Sequence, residues 1–162
     1  MDDRAILLGM NTLLAATAHR TPLTTDAQIE DRVLALIGTA GHRQLWLMFL
    51  DHDDDQLPVV IPLDDLPRVP DRAQTDVLVG HLAGVLHQVA AVQIVLVWER
   101  PGKGKLTELD QAWARSIAEN CSRRGVRLRA QLLSHTRGVT ILHPADYALT
   151  PTAASSTGGT EC

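Results

Sequence analysis

The stretch that decides the fold is Leu45-Trp46-Leu47-Met48-Phe49-Leu50, six apolar residues in a row. A continuous apolar run of this length, bounded by polar segments, is typical of a strand buried on both faces of a sheet. Residues 93–98, Gln-Ile-Val-Leu-Val-Trp, predict a second strand of the same kind. The two segments predict a short, very apolar sheet around which the rest of the chain is arranged.

The remaining elements follow from apolar spacing, caps and turns. Residues 57–63 predict a strand that forms a hairpin with the first one, and Pro58 and Pro62 place it at an edge. In residues 126–133, apolar and polar side chains alternate, which predicts one buried and one polar face. Helices are predicted over residues 5–18, 26–37, 71–89 and about 107–124, and a last short strand over 139–142.

The order of these elements, α-α-β-β-α-β-α-β-β, predicts the fold class. A strand, a helix and a further strand in sequence imply a right-handed parallel crossover. Two such units predict an α/β fold, a mixed sheet of about five strands in two or three layers. We expect a single domain over residues 1–149, in which residues 1–40 form a helical pair, and a disordered tail over residues 150–162.

Composition bounds the class of protein. A chain of 162 residues has the size of one domain, and its net charge of -4 argues against a nucleic-acid partner, although Arg123, Arg124, Arg127 and Arg129 leave a local patch open. The start of the chain lacks the cationic segment of a secretory signal, and no apolar run reaches the ~20 residues of a membrane span. Cys121 and Cys162 show no metal-ligand spacing. We expect a cytoplasmic protein without a membrane segment.

The candidate site follows from the predicted sheet. Ligands of α/β sheets tend to lie beyond the carboxyl ends of parallel strands. If the strands at 93–98 and 126–133 are parallel, their exit loops share one edge. The polar residues of those loops, which we predict to bind a ligand or partner, are Glu99, Arg100, Lys103, Lys105, Ser134, His135 and Arg137. The cations of the loop at 101–105 also suit a phosphate or carboxylate at the start of the following helix.

An alternative site would hold a metal ion. If the strand at 45–50 points the same way, Asp51, His52 and Asp53 join this edge. Asp51, Asp53 and Glu99 would then offer oxygen ligands for Mg²⁺, as in divalent-metal-dependent hydrolases and nucleases. The bland interpretation of the same aspartates is a solvated hairpin turn.

Complete catalytic signatures are missing from the sequence. It has no G-x-S-x-G elbow, and Pro101-Gly102-Lys103-Gly104-Lys105 lacks the Walker spacing. The sequence therefore favours a binding or regulatory module, without a cofactor, that engages a protein partner, a second copy of itself or a small ligand at the sheet edge. The metal-dependent hydrolase remains the alternative.

One family resemblance is present. The segment Ile61-Pro62-Leu63-Asp64-Asp65-Leu66-Pro67, the strand at 93–98 and the stretch 126–142 together resemble an uncharacterised actinobacterial domain-of-unknown-function family. The resemblance runs from residue 34 to residue 142. It implies an α/β layout and carries no known activity.

Overall fold

The computed structural model of this chain describes residues 22–148. Within that range the helices are α1 (Asp26–Leu36), α2 (Arg72–Gln88), α3 (Glu108–Arg124) and α4 (Pro144–Tyr147). The strands are β1 (Gln44–Leu50), β2 (Gln56–Leu63), β3 (Gln93–Glu99), β4 (Leu128–His135) and β5 (Gly138–Leu142).

The predicted order of elements is confirmed from the second helix to the last strand. The short helix α4 was not predicted. Two expectations lie outside the described residues. They are the first helix at 5–18, and with it the helical pair, and the disordered tail at 150–162.

The sheet is mixed and has the strand order β2-β1-β3-β4-β5. β1 runs antiparallel to both of its neighbours, β2 and β3, so β2 and β3 are parallel to each other. β4 is parallel to β3, and β5 returns antiparallel along β4. The helices α2 and α3 are therefore the two crossover connections, and the predicted α/β class is confirmed.

Helices cover the sheet on both faces, which makes three layers. On one face, α2 and α3 pack against the side chains of Leu45, Leu47, Phe49 and other residues of β1, β2 and β3. Two crossovers that progress in the same direction with the same hand must lie on the same face. On the other face, Ile29 and Val33 of α1 pack against a cluster that includes Met48.

Local signals in the sequence explain where the helices begin and end. Thr25 and Thr107 accept hydrogen bonds from the backbone three residues on, and the side chains of Gln28 and Asp110 return the bond, which completes two capping boxes. α3 ends at Gly125, whose φ of 70° lies in the left-handed region that glycine adopts without strain.

The two edges of the sheet are protected in different ways. β2 forms the predicted hairpin with β1 and lies at one edge, where Pro58 and Pro62 supply no N–H group. At the other edge, the backbone N–H of Ile141 in β5 donates a 2.9 Å hydrogen bond to the carboxylate of Glu30 in α1.

The predicted alternation of β4 is wrong. A register shift leaves Arg129 without a partner on β3, so Leu128 and Ala130 fall into opposite clusters of the core. Both faces of the strand are covered, and Gln131, predicted to face solvent, is 1 % exposed. Its amide accepts a 2.8 Å bond from the indole N–H of Trp98 and donates a 2.9 Å bond to the carbonyl of Ala114.

None of the helices in the described residues combines the length and the hydropathy that a membrane-spanning helix needs.

We expect the substitution Gln131→Ala to lower the free energy of unfolding by about 3 kcal/mol, because it leaves two buried polar groups unpaired and opens a cavity. Urea unfolding followed by circular dichroism measures the change. Gln88→Ala, at an exposed position of α2, is the control and is expected to change stability by less than about 0.5 kcal/mol. Equal stability of the two variants would contradict the buried role of Gln131.

Candidate ligand-binding site

The exit loops of β3 and β4 meet at the same end of the sheet, because the two strands are parallel and finish side by side. Glu99 is paired with Ser134 at the strand ends, and the backbone N–H of Arg100 donates to the carbonyl of Ser134 at 3.0 Å. Further along, Gly102 and Thr136 exchange two hydrogen bonds of 2.8 and 3.1 Å. The convergence of these two loops is therefore confirmed.

The acidic turn after β1 does not lie at this end of the sheet. Because β1 is antiparallel to β3, Gln44 lies opposite Glu99, and Leu50 lies opposite Gln93. Asp51 and the residues after it are therefore at the end where β3 begins, about 20 Å from Glu99 at ~3.3 Å per residue. The alternative metal site of Asp51, Asp53 and Glu99 is wrong in its composition, since the sheet separates its members.

Asp51 instead closes the hairpin turn. One of its carboxylate oxygens accepts the backbone N–H groups of Asp53 at 2.8 Å and Asp55 at 3.0 Å. This is the local turn chemistry that aspartate favours. The side chains of Asp51, His52 and Asp53 still have ligand atoms within 4.8 Å of one another, but His52 and Asp53 are exposed. A solvated hairpin turn, the simpler of the two interpretations of these aspartates, accounts for the contacts.

Glu99 and Ser134 hold the loop that joins α1 to β1. Glu99 is 6 % exposed, and its carboxylate accepts hydrogen bonds from the backbone of Gly41 at 2.8 Å, the indole of Trp46 at 2.7 Å and the amide of Gln44, with a longer one from His42. The hydroxyl of Ser134 donates to the carbonyl of Gly38 at 2.7 Å. Both carboxylate oxygens of Glu99 are thus engaged, and Ser134 is fully buried, so neither side chain is open to a ligand.

The pKa of Glu99 reflects these contacts. Burial of the carboxyl raises the pKa, but the hydrogen bonds from Gly41, Trp46, Gln44 and His42 to the ionised form outweigh it, and the pKa lies below its ordinary value. Glu99 is therefore a structural carboxylate that stays charged near neutral pH.

Arg100 folds its own exit loop. Its guanidinium forms an ion pair with Asp110 at 2.7 Å and donates to the carbonyls of Lys103 at 2.9 Å and Lys105 at 2.8 Å. Burial raises the pKa of Asp110, but its bonds with Arg100 and Thr107 outweigh this and hold the pKa below its ordinary value. The start of α3 thus carries the chain's own carboxylate, whose charge disfavours an external phosphate there.

The remaining predicted residues lie on the outer side of the exit loops. The side chains of Lys103, Lys105 and Arg137 are exposed. The ring of His135 lies against Gly104, hydrogen-bonds the hydroxyl of Thr140 at 3.2 Å and accepts the N–H of Arg137 at 3.3 Å. Its two nitrogens therefore serve the β4–β5 turn.

A cleft of about 280 Å³ opens beside these loops, on the face of the sheet that α2 and α3 cover. It lies at the carboxyl ends of the parallel strands β2 and β3 and at the start of α3, which is where α/β sheets usually bind ligands. Its lining combines apolar and aromatic side chains with charged ones, among them Leu66, Trp98, Leu109, Trp113, Arg43, Arg68, Glu99, Arg100 and Asp110.

Two arginines at the cleft have no acidic partner in contact among the described residues, although the ionised Glu99 lines the same cleft. The guanidinium of Arg43 donates to the carbonyls of Leu66 at 2.9 Å and Pro67 at 3.3 Å, and it has no carboxylate partner in the described residues. Arg68 is exposed, and its guanidinium has no hydrogen-bond or ion-pair partner in residues 22–148. The cleft therefore presents one fixed and one free cation.

Two tryptophans form the inner wall of the cleft. The rings of Trp98 and Trp113 are 5.8 Å apart and tilted by 45°. The indole N–H of Trp98 is bound by Gln131, and that of Trp113 donates to the carbonyls of Pro67 and Arg68, each at 3.1 Å. Since both N–H groups are engaged inside the protein, the wall offers carbon surface to a ligand.

Of the residues predicted to bind, Glu99 and Arg100 line the cleft. The sequence predicts no role for Arg43, Arg68 or Trp113, and the last of these is a buried residue of α3. A signal was available, because Trp98 ends a strand in a chain with 3 % aromatic residues. The partner arginine was not predictable, since its place depends on the antiparallel register of β1.

The chain matches no known protein-family model, and no curated protein matches it. The resemblance in the sequence stays a prediction.

We expect acid to remove the contribution of Glu99 to stability. Because the folded-state pKa is lowered, this stabilisation is complete above the ordinary Glu pKa of 4.5 and is lost as the pH falls through the folded-state value. Urea unfolding between neutral pH and pH ~3 measures it. Glu99→Gln should cost about 2 kcal/mol at neutral pH and flatten the acid limb.

Glu119→Gln, at an exposed position of α3, is the control for this prediction. It should leave both the neutral-pH stability and the acid limb as in the unchanged protein. An acid limb that is equally steep in the Glu99 variant would show that other carboxylates are responsible.

We expect Mg²⁺ or Mn²⁺ to leave the melting temperature unchanged, because Asp51 is committed to its turn and its neighbours are exposed. Asp51→Ala should lower the melting temperature equally with and without Mn²⁺. A rise with Mn²⁺ that Asp51→Ala abolishes would establish a cation site in the hairpin turn.

Proposed function

We propose that this chain is a binding module, and that a small ligand enters the cleft between the exit loop of β3, the segment after β2 and the start of α3. The observation that carries the proposal is the guanidinium of Arg43, which two backbone carbonyls hold at the cleft without neutralising it. A cation held in this way is preorganised to bind an anionic ligand. Because folding has already restricted the side chain, binding costs less conformational entropy.

The make-up of the cleft supports binding of a small molecule. Such sites are concave, mostly apolar and equipped with a few convergent polar groups, and they usually measure about 300–1,000 Å³. With about 280 Å³, this cleft is at the lower limit of that range. Leu66, Leu109 and Trp98 give it apolar walls, and Arg43 and Arg68 give it polar groups.

Two reactive side chains, Asp110 at the cleft and Cys121 in the core, favour binding over catalysis. Asp110 is held by Arg100 and Thr107, and its lowered pKa makes it a poor general acid or base near neutral pH. Burial raises the pKa of the Cys121 thiol to about 11, so it stays protonated and is a poor nucleophile. This buried free thiol also supports the proposal that the chain works in the reducing cytoplasm.

A matched pair of tryptophan substitutions tests the proposal. Leu109 lines the cleft and is 43 % exposed, whereas Leu34 on α1 is 48 % exposed and lies elsewhere. We expect Leu109→Trp to fill the cleft and weaken ligand binding at least about tenfold, and Leu34→Trp to bind as the unchanged protein does. Both should remain folded, because neither side chain is buried.

The measurement is a screen of small organic acids, alcohols and amines by ¹H–¹⁵N spectra. Ligands whose shifts disappear in Leu109→Trp and persist in Leu34→Trp support the proposal. If no compound binds the unchanged protein, or if every ligand binds both variants equally, the cleft is not the binding site.

A further inference from the structure

We infer that the ligand of this cleft is a carboxylic acid with a flat apolar body, whose carboxylate binds Arg43 and whose ring lies against Trp98. This inference rests on the proposed function and specifies the class of ligand.

The register of the sheet brings the two groups together. Leu45 of β1 is paired with Trp98 of β3. Arg43 lies two residues before Leu45, so it falls on the same face, and diagonal neighbours of this kind are within reach of long and aromatic side chains. Both residues line the cleft. A molecule with one anionic end and one flat end can therefore contact both at once.

Arg43 has donors to spare. A guanidinium carries five N–H groups, and the carbonyls of Leu66 and Pro67 use two of them. The remaining donors suit a carboxylate, which arginine binds in a planar, charge-assisted manner. Because the two carbonyls fix the fork, little further freedom is lost when the ligand binds.

The charges around the cleft favour a monoanion. Arg100 is neutralised by Asp110. Glu99 also lines the cleft and keeps its negative charge, but neutral donors of the loop before β1 and of β1 occupy both of its oxygens. Arg43 and Arg68 have no acidic partner in the described residues, so three arginines and two acids give the lining one net positive charge.

A phosphate fits this arrangement less well. Phosphate groups favour the free N–H groups at the start of a helix, and in α3 the capping box of Thr107 and Asp110 already uses the N–H groups of these two residues. Glu108 adds a second negative charge to the same turn. These two acidic side chains disfavour a dianion at the start of α3 more than they disfavour a monoanion.

The apolar part of the ligand is set by Trp98. Its ring is held in place by the bond to Gln131 and by contact with the ring of Trp113. Aromatic side chains favour offset-stacked or edge-to-face contacts with other rings. Leu66 and Leu109 enclose the same space with carbon surface, so a flat hydrocarbon body is matched on more than one side.

A matched set of probes tests the inference. 2-Naphthoate carries the proposed carboxylate, 2-naphthylmethanol replaces it by a neutral group, and 2-naphthyl phosphate replaces it by a phosphate; benzoate, benzyl alcohol and phenyl phosphate form a smaller set. Dissociation constants are measured by ¹H–¹⁵N titration of the full chain at constant ionic strength. We expect the carboxylate of at least one set to bind about tenfold more tightly than its alcohol and its phosphate.

Charge-matched variants assign the effect to Arg43. Arg43→Gln should reduce carboxylate binding to the level of the alcohol and leave alcohol binding unchanged. Arg43→Lys keeps the charge without the planar fork and should retain part of the preference. Arg127→Gln removes an exposed arginine at the start of β4, at the opposite edge of the sheet, and should have no effect. The melting temperature of each variant confirms that it is folded.

The outcomes separate this inference from the proposed function. A carboxylate preference that is lost in Arg43→Gln and kept in Arg127→Gln supports the inference. It is overturned if the alcohol or the phosphate binds as tightly as the acid, or if Arg127→Gln weakens binding as much as Arg43→Gln. If no probe binds while another library compound binds in a manner sensitive to Leu109→Trp, the inference fails and the binding module stands. If nothing binds at all, both fail.

Discussion

The structure depends on the need to bury both faces of β1. Its seven residues include no charged side chain, so the strand has to lie inside the sheet with a helical layer on each side. The hairpin partner β2 then takes the edge, and the chain has to pass over β1 through α2 to reach β3. In this arrangement β1 is antiparallel to both of its neighbours, which are parallel to each other. The arrangement also places the acidic turn at one end of the strands and the cleft at the other.

At the carboxyl ends of β3 and β4, some polar residues hold the loops in place and others remain open to solvent. Glu99, Ser134 and Arg100 look from the sequence like a rim of free groups, but their hydrogen bonds hold the loops. The arginines without an acidic partner in the described residues, Arg43 and Arg68, come from the segment before β1 and the segment after β2. The acidic side chains Glu99 and Asp110 bind groups of the chain itself, and this is the basis on which an anionic ligand is proposed.

Much of the fold was predictable, because its signals are local. Apolar runs, prolines and capping pairs such as Thr25 and Gln28 predict the elements within a few residues. The wrong predictions, for the faces of β4 and for the acidic site, have one cause. Each concerns a feature that is set by contacts between segments far apart in the sequence. Gln131 is buried because a register shift and α3 cover the strand that carries it. The same holds for the candidate site. The direction of β1 separates Asp51 from Glu99 and brings Arg43 to Trp98, and neither result can be read from spacing along the chain.

The two sheet edges have a consequence for how this chain meets other copies of itself. An exposed edge strand is a template on which a further strand can grow, and in many proteins it is the start of aggregation. Here Pro58 and Pro62 remove donors from β2, and the carboxylate of Glu30 already occupies the N–H of Ile141 in β5. Growth of the sheet by strand addition is therefore disfavoured at both ends. The very apolar β1 therefore stays inside a sheet of five strands. Two copies of the chain would have to meet through side chains and not through backbone hydrogen bonds between their sheets.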